Sequence, residues 1–160
     1  MNMNVKHKLR QRRIELGLNM DDAAKLAGLS VSEYYDIEAH DDEIVDFIPL
    51  LEVKNLCQAY SLDLLELFEI QCPFCEKNKI YLAEYKLPRN ELIKNKRISI
   101  GLSKEELSDI VGFYEVVITN MEADKIFLEE WVIYHITELS KTLDIPLQIL
   151  LGVKCSKCGR

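Results

Sequence analysis

An internal repeat limits the possible folds more than any other property of this sequence. At an offset of 84 residues, the identical pairs are Arg13/Arg97, Ile14/Ile98, Gly17/Gly101, Leu18/Leu102, Gly28/Gly112, Glu38/Glu122 and Ala39/Ala123. At an offset of 83, they are Leu56/Leu139, Leu64/Leu147, Cys72/Cys155 and Cys75/Cys158. We therefore predict a first unit over 1–75, a linker over 76–88 and a second unit over 89–160. Units of about 70 residues bury only a modest core, so an element that ties them together is expected.

Both units have the pattern of short amphipathic helices, which predicts an all-α fold of two tandem five-helix units. The six glycines and four prolines are few, and this favours helices over a β fold with many turns. Ser30 with Glu33 and Ser103 with Glu106 form capping boxes at helix starts. Helices are predicted up to Gly17 and over about 20–28, 30–39, 48–60 and 63–69, then over 104–112, 115–123, 128–143 and 147–151. The segment 79–85 alternates weakly and is either a short strand or the lead-in to the next helix.

A helix that ends at glycine before a second short helix is a helix-turn-helix arrangement. The residues that carry it in the first unit are Arg13-x3-Gly17-Leu18-Asn19, Ala23-x3-Ala27-Gly28-Leu29-Ser30 and Ile37-Glu38-Ala39. In the second unit they are Arg97-x3-Gly101-Leu102-Ser103, Leu107-x3-Val111-Gly112-Phe113 and Met121-Glu122-Ala123. On these motifs, nearly all of both units resembles the lambda-repressor-like, or XRE, family. The resemblance implies that Arg13 pairs with Glu38, and Arg97 with Glu122, inside the units.

The resemblance also implies that the third helix of a unit reads the major groove, while the start of the second helix anchors phosphates. In the second unit, the residues expected to contact double-stranded DNA are Lys94, Lys96, Lys104, Tyr114, Glu115, Val117 and Asn120, and Ile118 is expected on the same exposed side. An asparagine can bond bidentately to adenine. The predicted function is a sequence-specific DNA-binding transcriptional regulator. The competing interpretation is that the lysines belong to an ordinary solvated helix face.

The formal net charge of −7 belongs to the first unit. Residues 1–70 contain seven basic and fourteen acidic side chains, whereas residues 71–160 contain thirteen of each. Because acidic surfaces are repelled by phosphates, the first unit is interpreted as a degenerate copy that binds protein. The alternative function of the whole chain is then a protein-interaction module, such as an adaptor, an antirepressor or an antitoxin-like partner, whose first unit no longer binds DNA. Its expected partner surface comprises Ser32, Glu33, Tyr35 and Asp36, next to the acidic run 41–46. The other use of this unit is a weak half-site reader that acts together with the second unit.

The five cysteines divide into two CxxC pairs and one apolar-face residue. Cys72, Cys75, Cys155 and Cys158 are predicted to ligate one structural Zn²⁺, because four thiolates suit its tetrahedral geometry. If the units pack about a pseudo-two-fold axis, the pairs converge on the metal and staple two small cores. Disulfides, thiol exchange and a metal or redox sensor are the alternatives. Cys57 is expected in the core.

Composition and motifs exclude several further classes. No stretch has the roughly 20 apolar residues needed to cross a bilayer, and the polar, basic N-terminus lacks the apolar region of a secretory signal. No membrane association is therefore expected, and a cytoplasmic location is predicted. The three histidines are scattered and no phosphate loop or nucleophile motif occurs, so no enzyme is predicted. Phe127, Trp131 and Tyr134 fall at helical spacing and are expected in the core.

Overall fold

The computed structural model describes residues 5–75 and 84–160, which we call the first and second halves. Both described ranges are helical, and the prediction of an all-α fold is confirmed. The first half contains α1 (Val5–Glu15), α2 (Met20–Ala27), α3 (Val31–Ala39), α4 (Glu43–Asp46), α5 (Leu50–Tyr60) and α6 (Leu64–Leu67). The second half contains a 3₁₀ turn (Glu84–Lys86), α7 (Arg89–Ser99), α8 (Lys104–Val111), α9 (Glu115–Ala123), a second 3₁₀ turn (Phe127–Glu130), α10 (Ile133–Leu143) and α11 (Leu147–Leu151).

The two halves repeat the same series of helices. α1 and α7 each have 11 residues, α2 and α8 each have 8, and α3 and α9 each have 9. The longest helices after them, α5 and α10, again have 11 residues each. The offset found in the sequence therefore corresponds to a repeat of local structure.

Local sequence explains where α3 and α8 begin and where α2 ends. The Ser30 hydroxyl accepts the Glu33 N–H while the Glu33 carboxylate accepts the Ser30 N–H, so the predicted capping box forms at α3. Ser103 and Glu106 form the same box at α8. α9 begins at Tyr114 with no side-chain cap. α2 ends at Gly28, whose φ of 77° lies in the left-handed region that glycine adopts without strain.

The predicted helix 128–143 is interrupted, which corrects the sequence expectation. In the first half, α5 (Leu50–Tyr60) corresponds to the predicted helix 48–60, and α4 precedes it as a separate short helix that was not predicted. In the second half, the 3₁₀ turn Phe127–Glu130 ends before Trp131 and α10 begins at Ile133. The Leu50 N–H donates to the Trp131 carbonyl at 2.9 Å, and this bond joins the start of α5 to the break that precedes α10.

The contacts between the halves follow a pseudo-two-fold axis. Pro49 and Val132 form an isolated antiparallel bridge, and they are equivalent positions at the offset of 83. α4 packs against α10, and its counterpart, the 3₁₀ turn Phe127–Glu130, packs against α5. Because α5 and α10 are also counterparts, each half presents the same elements to the other, as in an isologous dimer.

One hydrophobic core extends through both halves. Its fully buried members include Leu9, Leu50 and Leu56 from the first half and Leu92, Ile133 and Ile136 from the second. Cys57 is also buried, as predicted. Phe127 and Trp131 are partly buried against this core, but Tyr134 is 49% exposed, so the core expectation is wrong for Tyr134. Tyr134 follows the buried Ile133 and therefore points away from the inner face of α10.

Part of the predicted linker over 76–88 and most of the segment 79–85 lie outside the described residues. The description resumes at Glu84 with the first 3₁₀ turn, and Pro88 then precedes α7. Across 5–75 and 84–160, no helix combines the length and the apolar character needed to span a membrane.

Candidate functional site

The four cysteines of the CxxC pairs come together where the two halves end. Cys72 and Cys75 follow α6, and Cys155 and Cys158 follow α11. Their Sγ atoms all lie within 4.8 Å of one another. The separations are 3.6 Å for Cys72–Cys158 and 3.6 Å for Cys75–Cys155. These two contacts exchange under the pseudo-two-fold relation, so each half contributes equivalent ligand atoms.

The sulfur geometry fits a four-coordinate metal ion. A tetrahedral ion with metal–sulfur bonds of about 2.3 Å requires sulfur–sulfur separations of about 3.8 Å. The two separations of 3.6 Å lie close to this value, and four soft sulfur donors are the ligands of tetrahedral Zn²⁺ or iron–sulfur sites. Four protein ligands leave no open position, so such a site is structural rather than catalytic.

Backbone dipoles around the cluster favour thiolates. The backbone N–H groups of Cys158 and Lys157 point at the Cys155 sulfur, and they lower the pKa of this thiol to about 7. The N–H groups of Phe74 and Cys75 approach Cys72 in the same way, although burial raises the pKa of Cys72. The repeated CxxC turn therefore supplies two hydrogen-bond donors to the first cysteine of each pair.

The cluster has an apolar inner side and a charged outer side. Leu65 and the partly buried Ile70, Phe74 and Val153 pack against Cys72 and Cys155. On the outer side, a cleft of about 510 Å³ reaches Cys75, and Lys8 and Lys157 line it. The apolar wall covers the buried sulfurs, whereas on the outer side the two lysines pair with Glu69 and Glu66 of the same cleft.

Cys57 does not belong to this cluster. Its thiol is buried in the core, and burial raises its pKa to about 12. Cys57 is not among the four cysteines whose sulfur atoms lie together, so it is a core residue rather than a candidate metal ligand.

The two arginines of the repeated motif are occupied inside the halves. Arg13 donates to both carboxylate oxygens of Glu38, at 2.6 and 2.9 Å. Arg97 donates to both oxygens of Glu122, at 2.5 and 3.1 Å, and its remaining nitrogen donates to the Leu102 carbonyl at 2.7 Å. Both predicted pairs are confirmed, and neither guanidinium is free for an external ligand.

The candidate DNA face in the second half is only partly as expected. Tyr114 is 81% exposed, and Lys94, Glu115 and Asn120 are also exposed. Lys104 is half-buried, and its Nζ donates to the Thr119 hydroxyl at 3.2 Å. Lys96 is half-buried as well.

Two apolar residues of α9 face the core instead. Ile118 is fully buried and Val117 packs partly against the core, so the expectation of an outward Ile118 is wrong. Val116, which was not predicted as a DNA contact, is 62% exposed. Val116 and Asn120 are four residues apart in α9, so they lie on the same outer face of the helix.

The candidate partner surface on α3 is exposed except for Asp36, which is half-buried. Ser32 and Glu33 are exposed and Tyr35 is 59% exposed. The Glu33 carboxylate is engaged in the capping box and is therefore less available than its position suggests. Tyr34, which precedes Tyr35, is fully buried and is excluded from any partner surface.

A charged triad between the halves was not anticipated. Lys54 on α5 donates to both oxygens of Glu129 at 2.7 and 2.9 Å, and Arg89 on α7 donates to Glu129 at 2.6 Å. The three residues are far apart in sequence and belong to no motif. The pairing of α5 with the 3₁₀ turn Phe127–Glu130 brings Lys54 to Glu129, and Arg89 reaches Glu129 from the start of α7.

Comparison with known proteins found no matching family model, no matching curated protein and no matching solved structure. The function of the chain is therefore inferred from its own residues and their arrangement.

Proposed function

We propose that this protein is a sequence-specific DNA-binding transcriptional regulator of the XRE type, with a structural zinc ion at its four clustered cysteines. The observation that carries the proposal is the outer face of α9, which follows α8 after a glycine turn. This face presents Tyr114, Val116 and Asn120 to solvent. An exposed helix behind a glycine turn is the element that helix-turn-helix proteins place in the major groove.

The side chains on this face suit base contacts. An asparagine amide pairs bidentately with adenine, and exposed apolar side chains contact the thymine methyl group. Asn120 and Val116 share the outer face of α9, so they would address neighbouring base pairs. Lys104 and Lys94 lie on the preceding helices α8 and α7, where ammonium groups would meet phosphates.

The pseudo-two-fold relation explains why DNA contact is assigned to the second half. The helix equivalent to α9 is α3, and its exposed face carries Glu33 and Tyr35 in place of basic or amide groups. The first half also has twice as many acidic as basic side chains. Its repulsion of phosphate leaves the second half as the principal reader.

Zinc would act here as a staple between the halves. Four thiolates with no open position bind the metal without exposing it to substrate. The ligands come from both CxxC turns, so metal binding would hold the ends of α6 and α11 together. A cytoplasmic location fits this role, because a reducing compartment keeps thiols available for metal.

The proposal is tested by selecting duplexes from a random pool with the zinc-loaded protein and measuring binding by fluorescence anisotropy against salt. Asn120→Ala is expected to weaken the selected duplex by about tenfold while leaving random DNA little changed. Lys104→Ala is expected to weaken both and to reduce the salt slope by about 1. Asn95→Ala and Lys141→Ala, at exposed positions outside α8 and α9, are the matched controls. Absence of binding at low salt, with zinc present, would refute the proposal.

A second candidate is a protein-interaction module that uses α3. The exposed Val31 and Tyr35 lie one helical turn apart, beside Asp36, and together they form an apolar strip with an acidic edge. This arrangement would suit a partner with a basic, apolar surface. Hydrogen exchange on the protein isolated with its partner tests it, and protection confined to regions other than α3 would exclude this surface.

A further inference from the structure

A cleft of about 710 Å³ opens between α4 and α10, on one side of the junction between the halves. Its apolar lining consists of Val5, Val45, Phe68 and Tyr134. Clefts of this size and mixed character are typical of small-molecule sites.

The cleft has a filled counterpart on the other side of the pseudo-two-fold axis. At the repeat offsets, Val5, Val45 and Thr137 in the cleft correspond to Arg89, Glu129 and Lys54. Those three long side chains form the charged triad and fill the junction between α5 and the 3₁₀ turn Phe127–Glu130. Three short side chains at the equivalent positions leave space between α4 and α10.

The filled side also indicates which chemistry this junction accommodates. The Arg89 guanidinium donates to Glu129 and, at 3.0 Å, to the Leu150 carbonyl. It packs so closely on Gly152 that a Cβ there would lie 3.1 Å from the guanidinium carbon. On the side of α5 and the 3₁₀ turn Phe127–Glu130, the junction between the halves therefore holds a cationic group on a short alkyl chain, which is the Arg89 side chain.

In the cleft, carboxylates are present as hydrogen-bond acceptors, but Val5 and Thr137 occupy the positions equivalent to the cations Arg89 and Lys54. Asp41 Oδ2 pairs with Lys6 at 3.0 Å and Asp41 Oδ1 has almost no accessible surface, so Asp41 itself is not open to a ligand. Asp42 and Asp46 also line the cleft. Lys141, the cation in the lining, is already paired with Glu138 at 2.7 Å. The carboxylates thus outnumber the cations that face them.

We propose that this cleft binds a small aliphatic cation, a guanidinium or amine on a short alkyl chain. The alkyl chain lies against Val45 and Tyr134, and the cationic group donates hydrogen bonds to Asp42 and Asp46. Because α4 belongs to the first half and α10 to the second, the ligand contacts both halves. Binding therefore stabilises their junction in the way that Arg89 and Lys54 do on the opposite side.

The test is isothermal titration calorimetry of the full-length, zinc-loaded protein with agmatine, which has a guanidinium and an amine on one alkyl chain. Saturable binding of one molecule per chain is expected. Asp46→Asn is expected to weaken it by about tenfold, because the amide oxygen still accepts a hydrogen bond but lacks the charge that strengthens it. Asp109→Asn, which removes an exposed carboxylate on α8, is the matched control and leaves the affinity unchanged.

A second variant transplants the filled side into the cleft. The triple change Val5→Arg, Val45→Glu and Thr137→Lys reproduces the residues of the triad and is expected to abolish agmatine binding. Circular dichroism verifies that this variant is folded, and if it is not, Tyr134→Ala replaces it. Tyr134→Ala removes part of the alkyl contact and is expected to weaken agmatine more than methylguanidinium.

Three results would overturn the proposal. The first is that agmatine shows no saturable binding. The second is that methylguanidinium or the uncharged 1,5-pentanediol binds as tightly as agmatine. The third is that Asp46→Asn binds agmatine with unchanged affinity. The measurement contains no DNA, so its outcome is independent of the proposed regulatory function.

Discussion

At the scale of the residue, breaking the buried Arg97–Glu122 pair is expected to lower the stability of the folded protein strongly. Removing Arg97 leaves the Glu122 carboxylate, which is almost completely buried, without its bidentate partner. We predict that Arg97→Ala lowers the free energy of unfolding by about 3 kcal/mol. Urea unfolding followed by circular dichroism measures the change.

The controls for this prediction separate charge from geometry. Arg10→Ala removes an exposed arginine from α1 and is expected to change stability by less than about 0.5 kcal/mol. Arg97→Lys keeps the charge but cannot form the two parallel hydrogen bonds, so it restores only part of the loss. Equal stability of Arg97→Ala and the parent protein would contradict the structural role.

The equivalent pair in the first half is extended by two tyrosines. The Tyr34 hydroxyl donates to Glu38 at 3.0 Å, and the Tyr60 hydroxyl lies against that of Tyr34. In the second half, Ile118 and Leu143 occupy the corresponding positions and are buried without polar partners. Burial raises the pKa of both tyrosines above the ordinary value of 10.0.

These raised values predict loss of stability in alkali. A group whose pKa is higher in the folded state contributes its full stability below the unfolded pKa of about 10 and loses it as pH rises further. We expect the free energy of unfolding to fall above about pH 10, and the fall to be smaller in the double variant Tyr34→Phe, Tyr60→Phe. Tyrosinate absorbance against pH checks this. Two tyrosines that ionise only on unfolding are expected, and ionisation of all seven in the folded state would contradict it.

At the scale of the helix, α9 combines an exposed face with an uncapped start. Tyr114 has the extended φ and ψ of an N-cap residue, at −93° and 151°, but no hydroxyl within reach of the backbone. We predict that Tyr114→Ser raises the free energy of unfolding by about 1 kcal/mol by supplying the missing cap. The same variant is expected to bind DNA more weakly, since the most exposed aromatic ring of the proposed reading face is lost.

Ser103→Ala at the start of α8 is the opposite test. It removes a capping hydroxyl and is expected to lower stability by about 1 kcal/mol. Thermal unfolding and anisotropy on the same preparations give both readouts. If Tyr114→Ser gained stability and kept full DNA affinity, Tyr114 would have no part in recognition.

The helix starts were predictable where a local rule fixes them. Ser30 and Ser103 each have a glutamate three residues later, and both capping boxes form where the sequence predicts them. The start of α5 after Pro49 was predicted, but the interruption at Trp131 was not, because the Trp131 carbonyl accepts its hydrogen bond from Leu50 in the other half of the chain. The orientation of Ile118 was missed for a similar reason, since apolar residues are dense along α9 and only packing distinguishes its faces.

At the scale of the whole molecule, the four cysteines lie together at the ends of two halves that share a core. We predict that the purified protein contains one zinc ion per chain and that Cys75→Ser or Cys158→Ser loses it. Loss of the metal is expected to lower the unfolding temperature, because binding free energy contributes to the stability of the folded state. Elemental analysis and calorimetry under reducing conditions measure both.

Cys57→Ala is the matched control for the zinc prediction. It removes a buried thiol that lies outside the cluster, so zinc content is expected to remain one per chain while packing is weakened. A metal-free protein whose unfolding temperature matches that of the loaded form would exclude the staple role.

The convergence of the cysteines was predictable because the repeat places both CxxC pairs at equivalent positions. The cleft and the triad were not, because they depend on which side chains meet across the junction. Val45 and Glu129 are equivalent in the repeat, yet one leaves a space and the other fills it. A repeat in sequence thus specifies which elements meet, while the differences between the copies specify the sites.

The order of the ligands along the chain has a consequence for biosynthesis. Cys72 and Cys75 are translated before α7–α11 exist, and their partners Cys155 and Cys158 come after all of those helices. The metal site therefore cannot be completed on a nascent first half. Until the second half is synthesised, the thiols of Cys72 and Cys75 and the surface of α4 and α5 that the second half covers are exposed to chaperones and oxidants.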